Sequence, residues 1–293
     1  MGLKAMQDLQ QLNPVKDTAS NAQILFLVLN TSSVTLLPVT IFMYRAQQGA
    51  AEPTAVFIPI LMATTASTLA GLAAVAWVQR IRLLDRVILG YALGFALLLA
   101  LLATFLLSQP AEQMATTSSL LGNLLLFSLI MLFLGAGWWR KVHVYDAFID
   151  GAREGFEVAV KLIPFLVAML VAIGVVRASG VLDGIIVAIE YLFSAIGINT
   201  DFIQALPTAL MKPLSGSGAR AMMLETMNNF GVDSFPATVA AIMQGSTETT
   251  FYVLAVYFGS VGIRHVRHAL WCALIADAAG ILTAILVGYW FFH

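Results

Sequence analysis

Several stretches of this chain run about 20 residues without a charge. That is the length one helix needs to cross hydrocarbon, at about 1.5 Å of rise per residue through roughly 30 Å. They lie at 23–44, 55–79, 87–107 and 120–139. A fifth, 158–176, holds Lys161 near one end and Pro164. Two later stretches, 235–262 and 269–292, are interrupted only by Glu248 and Asp277. Between them, 181–197 and 202–214 are short for full crossings and carry Gly, Pro and Asn. Backbone polar groups in lipid must be satisfied within the segment, so apolar stretches of this length predict an all-α, polytopic integral membrane protein.

Composition agrees. Of 293 residues 60% are apolar and 11% charged, too few charges to coat a core in water. A soluble enzyme, a disordered tail and a nucleic-acid binder are excluded on this ground, and the net charge of −1 gives no pull toward nucleic acid. Residues 1–17 are polar and lack the apolar core of a signal peptide, so the internal segments are expected to drive insertion. The single cysteine, Cys272, cannot form an intramolecular disulfide.

Basic residues in short loops mark the cytoplasmic side. Arg80, Arg82 and Arg86 follow the second stretch; Arg140, Lys141 and Arg153 follow the fourth; Arg264 and Arg267 precede the last. Loop 108–118 has Glu112 and no base, which suits the outside. Alternation then starts from an internal amino terminus, with 178–234 beginning and ending outside. Arg45, in an outer loop, runs against the rule.

The chain also repeats itself. Gly2-Leu3-Lys4-Ala5-Met6 returns as Gly218-Ala219-Arg220-Ala221-Met222, Asn30-Thr31-Ser32-Ser33-Val34-Thr35 as Gln244-Gly245-Ser246-Thr247-Glu248-Thr249, and Leu61-Met62-Ala63-Thr64 as Leu274-Ile275-Ala276-Asp277, with Trp77 matching Trp290. The basic loops put the end of the second stretch inside and the end of the last outside, so the copies have opposite orientations. Inverted repeats of this kind build secondary transporters, with the site at the repeat interface. Ala63, Ser67 and Gly71, and Ala276, Gly280, Ala284 and Gly288, form small-residue stripes at a spacing of four, which predicts close helix packing.

The polar runs are the candidate site. Gln244, Ser246, Thr247, Glu248 and Thr249 fall in mid-stretch, where such groups must face protein, water or a ligand. Gly245 permits an unwound turn there, and an intramembrane carboxylate such as Glu248 points to proton or cation coupling. Asn30, Thr31, Ser32, Ser33 and Thr35, with a kink at Pro38, form the matching run; Val34 stands where Glu248 does, so one ionisable site is implied. Ser215 and Ser217 frame a glycine-rich turn before a helical pattern at 219–227, suited to a polar or anionic group or simply to an N-cap at or near Ser217. Asp277, whose counterpart is Thr64, is expected to pair with something polar near Glu248 or to take part in coupling. The bland reading of the hydroxyls is bonding to their own helix carbonyls. Neither HExxH nor CxxC occurs, and His143, His265, His268 and His293 fall at edges or loops, so no metal, no cofactor and no enzyme chemistry are expected.

At these residues the chain resembles a known family. The Gly2–Met6 block with Asn30-Thr31-Ser32-Ser33 resembles the later part of spore maturation protein A, and 213–222 with 244–250 resembles spore maturation protein B. The whole looks like a fusion of the two within the nucleoside-recognition, or gate, superfamily. That group includes gate regions of concentrative nucleoside transporters and of ferrous iron transporter B. The resemblance implies three parts: 1–80, the later part of a first gate; 81–142, linking helices; and 143–293, a second gate. It further implies a multi-pass protein of the bacterial inner membrane, surrounded by lipid, that handles a small polar solute such as a nucleoside or ion. The alternative is a membrane assembly scaffold. The first gate lacks a counterpart of 154–217, so an upstream segment, a second polypeptide or a homo-oligomer is expected to complete it.

Overall fold

The computed structural model describes residues 2–32, 34–81, 111–153, 178–195 and 199–293, with single residues at 90, 94, 101, 104, 105, 156, 160, 171 and 175. Ser33, Arg82, Arg86, Lys161, Pro164 and most of 87–107 and 158–176 lie outside the described residues. The named elements are α1 (Gly2–Gln11), α2 (Asn21–Thr31), α3 (Val39–Gln47), α4 (Phe57–Gln79), α5 (Ala111–Trp139), α6 (Val181–Ala195), a 3-10 turn (Ile203–Ala205), α7 (Leu206–Met211), α8 (Gly216–Phe230), α9 (Phe235–Ser246), α10 (Thr250–Ser260) and α11 (Ala269–Phe292). Among the described residues no strand forms beyond an isolated bridge between Thr18 and His265. Three helical stretches among the described residues are long and apolar enough to cross a membrane: Phe57–Gln79, Thr116–Trp139 and Ala269–Phe292.

Two sequence expectations need correction. Stretch 23–44 is not one continuous helix but two short helices, α2 and α3, and 235–262 likewise divides into α9 and α10. The first break has local causes. Asn30 Nδ2 donates to Phe26 O, while Thr31 Oγ1 and Ser32 Oγ both donate to Val28 O, so side chains compete for helix carbonyls. Pro38 then N-caps α3, having no N–H to continue a helix and disfavouring helical geometry at Leu37. The second break starts at Thr247, which is extended (φ −146, ψ 175), after Ser246 Oγ has turned back to Met243 O. Gly245 itself stays helical. A smaller correction concerns loop 108–118, which is helical from Ala111.

With those breaks the repeat becomes architectural. The order α1, α2, α3, α4 returns as α8, α9, α10, α11: a helix, two short helices about a break, and one long helix. Ser20 N-caps α2 and Ser234 N-caps α9, each accepting a main-chain N–H three residues on. Gly49 and Gly262 follow the second short helix of each copy with φ of +80° and +73°, where glycine escapes the Cβ penalty.

The copies are inverted. α4 and α11 pack antiparallel along the small-residue stripes: a Cβ on Gly71 would stand 3.1 Å from Ala276 Cβ, and one on Gly280 would stand 3.2 Å from Ser67 Cβ. The shift that carries Ser67 onto Gly280 is 213 residues. Their contact therefore maps onto itself and marks the pseudo-twofold axis.

Two apolar clusters flank that axis. One joins α3, the start of α4, α7–α9 and the end of α11 through residues such as Ile41, Ile60, Met223, Ile242 and Val287. The other joins α1, α2, α10, Val75 and the start of α11 through Met6, Ile24, Leu27, Phe258 and Cys272. Each cluster thus pairs the first short helix of one copy with the second short helix of the other.

The ends obey the same symmetry. At one end the Arg264 and His265 N–H groups donate to Asp17 O (2.8 and 3.0 Å), Arg267 donates to Ala19 O, and Gln79 meets His268. At the other, the Ala51 N–H donates to Asp233 Oδ2 (3.0 Å). Arg80, Arg264 and Arg267 therefore gather at one end. Arg45 sits at the opposite end, but it is 3% exposed and held by Asp233 at 3.1 Å, so it presents no free charge there. α5 docks through Ser118–Leu126, where Ser118 Oγ accepts the Ile58 N–H, Thr54 meets Ser119 and Leu126 packs on the first cluster; beyond them it exposes Phe127, Leu132 and Phe133. Such an apolar face needs hydrocarbon or protein against it.

Candidate functional site

The two breaks face each other. The Glu248 N–H donates to Thr31 O at 2.8 Å, Thr35 Oγ1 lies 3.5 Å from Gly245 O, and Thr68 Oγ1 donates to Ser32 O. The first two bonds join the copies, and the third serves the first break from its own long helix. Such pairing is how non-helical backbone survives inside a membrane protein.

Beside this junction lies a cavity of about 300 Å³. The first break and α3 contribute Thr35, Leu37, Pro38, Thr40 and Ile41. The second contributes Gln244, Gly245, Thr247, Glu248 and Thr249. Lys212, Gly216 and Arg220 close it from the α7–α8 side. A larger groove along α5 and the segment after it (Ile130, Phe133, Tyr145, Phe148) has no charged lining residue and no chemistry to offer.

Each wall has a local cause. Ser215 accepts the Gly218 N–H at 3.1 Å and so starts α8 at Gly216; the N-cap is Ser215, and Ser217 bonds to it at 3.2 Å rather than capping. A Cβ on Gly216 would stand 2.7 Å from Thr249 Oγ1, so only glycine lets the two walls approach this closely. Lys212 follows α7, 4% exposed, and its ammonium donates to Gln244 O at 2.6 Å. The Arg220 guanidinium lies 5.5 Å from the Tyr44 ring centroid, a cation–π distance. Glu248 lines the cavity with an exposed side chain, its main-chain N–H already committed to Thr31.

The predicted site residues divide. Thr35, Gln244, Thr247, Glu248 and Thr249 come together on the cavity. Thr31, Ser32 and Ser246 are buried and bond to their own helices. Asn30 points elsewhere, accepting from the Tyr257 hydroxyl at 3.4 Å. Ser215 and Ser217 serve the α8 start, and Ser33 is outside the described residues. Asp277, 2% exposed, accepts from Thr250 Oγ1 at 2.6 Å, two residues beyond Glu248, while its Oδ1 has no hydrogen-bond partner. Among the described residues no three His, Cys, Asp or Glu side chains cluster as a metal site.

Lys212 and Arg220 were missed by sequence reasoning, while Gly216 lies in the turn framed by Ser215 and Ser217. The signal was present. Lys212 is a lone cation in the apolar stretch 202–214, and Arg220 is the base of the repeated block, matching Lys4 in the first copy.

Comparison with known proteins bears on the α7–α10 side of this cavity. The family model for nucleoside recognition (Gate) matches residues 159–264. Spore maturation protein B of Bacillus subtilis (strain 168) is 46% identical over 151 residues, covering 52% of this chain and 83% of that protein. Spore maturation protein A of the same organism is 37% identical over 67 residues, 23% of this chain and 34% of that protein. No solved structure matches.

Proposed function

We propose that this chain, which belongs to the spore maturation protein B family and carries a nucleoside-recognition (Gate) region, binds a small polar solute between its two broken helices and moves it across the plasma membrane. One observation carries the reading: a cavity whose walls come from the breaks of both inverted copies. A scaffold needs helices to pack; it has no use for unwound main chain and two bases around a hollow. Inverted copies about a central site give alternate access by rocking one against the other. In this scheme Thr35, Gln244, Thr247 and Thr249 contact solute. Glu248 meets the solute or a coupling ion, and Asp277 holds the Thr250 start of α10.

The scaffold reading draws on Thr31, Ser32 and Ser246, whose hydroxyls do only structural work. Thermal unfolding of the purified protein against a solute panel separates the two. The panel includes uridine and adenosine, because the matched family model is one of nucleoside recognition. Solute binding predicts a saturable rise in midpoint with at least one solute, lost in Gln244→Ala, and uptake of that solute into proteoliposomes. A silent panel with the fold intact would leave the scaffold.

A further inference from the structure

The cavity is electrically lopsided in a way that a neutral solute does not explain. Lys212 is 4% exposed, and its single hydrogen bond goes to a neutral carbonyl, Gln244 O, at 2.6 Å. An ammonium has three donors, so its other N–H bonds remain for something else. Arg220 rests on the Tyr44 ring with its five donors unclaimed by any carboxylate. Among the described residues no carboxylate oxygen lies within 4.0 Å of either base. Glu248 and Asp277 act on Lys212 only from beyond ion-pair distance. A buried cation without a direct partner is costly, so the site favours an anion that can reach it.

Two further features aim at the same hollow. Gln244 is 7% exposed, lines the cavity, and leaves its Oε1 without a partner. Its Nε2 donates to Gly216 O at 3.4 Å, so the free Oε1 is left to accept from a hydroxyl or N–H group of the solute. The first main-chain N–H groups of the 15-residue helix α8 also start at the cavity wall, at Gly216. The two bases and the helix start share one preference, for negative oxygen.

Resting on the solute-site reading above, we infer that the solute carries an oxyanion head group, a carboxylate or a phosphate, which docks between Lys212, Arg220 and the start of α8. Glu248 stands at the cavity as the one carboxylate there. It repels a second anion, or receives a cationic group on the same solute.

The test is thermal unfolding of the full chain in detergent at constant ionic strength. Sodium phosphate, acetate and succinate are compared with sodium chloride and with neutral uridine. A saturable midpoint rise with phosphate or with a carboxylate, and none with chloride, is expected, and the responding anion identifies the head group. Lys212→Met and Arg220→Gln should each weaken the apparent affinity at least tenfold. Lys212→Met removes a desolvated charge and should fold; Arg220→Gln, at a half-buried position, is the second reading if it does not. A rise with uridine alone overturns the oxyanion assignment and leaves the solute site standing. Silence with every solute overturns both. An anion effect of equal size in both variants overturns the assignment to these bases.

Discussion

Gly245 is where the second break touches the first copy's long helix, and it can be tested by adding one carbon. A Cβ there would meet three atoms of Ile60, Cγ2, Cδ1 and Cγ1, at 2.8, 2.9 and 2.9 Å. Ordinary contacts begin near 3.4 Å, so the overlap is about half an ångström on three atoms at once. Ile60 is fully buried and β-branched on a helix, which leaves it essentially one χ1 rotamer and no room to retreat. Overpacking of this kind costs about 1–3 kcal/mol. The helix-propensity gain of Gly→Ala is about 1 kcal/mol in a helix interior and smaller here, one residue from the end of α9. Gly245→Ala should therefore destabilise by about 1–2 kcal/mol. Ile60→Ala alone leaves a hole and should cost about 2–5 kcal/mol. The double variant places the new methyl in that hole, so the two costs should fail to add, with a favourable coupling of about 1–2 kcal/mol. Equilibrium unfolding in mixed micelles measures the cycle. Additive costs within about 0.5 kcal/mol would refute the contact between the α9 break and α4.

Further outcomes follow from the ends of the molecule. Asp233→Ala should cost about 1–2 kcal/mol in the same assay, below the figure for a fully buried pair because Asp233 is 48% exposed; Arg45→Met with Asp233→Ala should recover part of it. His268 is held below its usual imidazole range, first by burial and then by Arg267. The unfolded chain therefore binds more protons than the native one as pH falls through the ordinary histidine range. Stability should drop there, and His268→Gln, which keeps a partner for Gln79, should flatten the drop in a pH series of unfolding midpoints. In a Cys272→Ala background, Gly49→Cys and Arg264→Cys should react with an impermeant maleimide from opposite sides of oriented vesicles. Labelling of both from one side would contradict the inverted arrangement.

The sequence made the frame legible where spacing alone sets it. The small residues at Ser67, Gly71, Ala276 and Gly280 are where the long helices cross, and the repeated polar blocks fall on the two breaks. What hydropathy could not register is that a mid-stretch break costs nothing in apolar count. Stretch 23–44 reads as one helix although Pro38 and three back-bonding side chains stop it at Thr31. The site was half legible for a related reason. Polar residues in apolar runs drew notice, but hydroxyls can be satisfied by their own helix and no pattern tells which are. Thr31 and Thr35 look alike in sequence; only the break turns Thr35 to the cavity. Lys212 and Arg220 come from α7 and α8, which the sequence analysis treated as short or capping segments.

A symmetric frame with asymmetric chemistry has a consequence that can be measured at Asp277 and Thr64. The two positions are counterparts, each fully or almost fully buried in a long helix. Asp277 survives there because Thr250 Oγ1, the first residue of α10, donates to it at 2.6 Å. The residues matching Thr250 in the first copy are Leu36 and Leu37, which have no donor to give, and Thr64 Oγ1 donates to its own helix at Leu61 O. Thr64→Asp should therefore bury a carboxylate without a partner and cost about 3–5 kcal/mol, the range for an uncompensated buried charge. Asp277→Asn keeps an acceptor for Thr250 and should cost under about 1 kcal/mol. The ranking does not depend on absolute values: the same unfolding assay reads both variants side by side. Equal costs at the two positions would mean that the Thr250 bond does not set the difference. The expected inequality would show that one copy supplies the charged groups and the other a neutral wall.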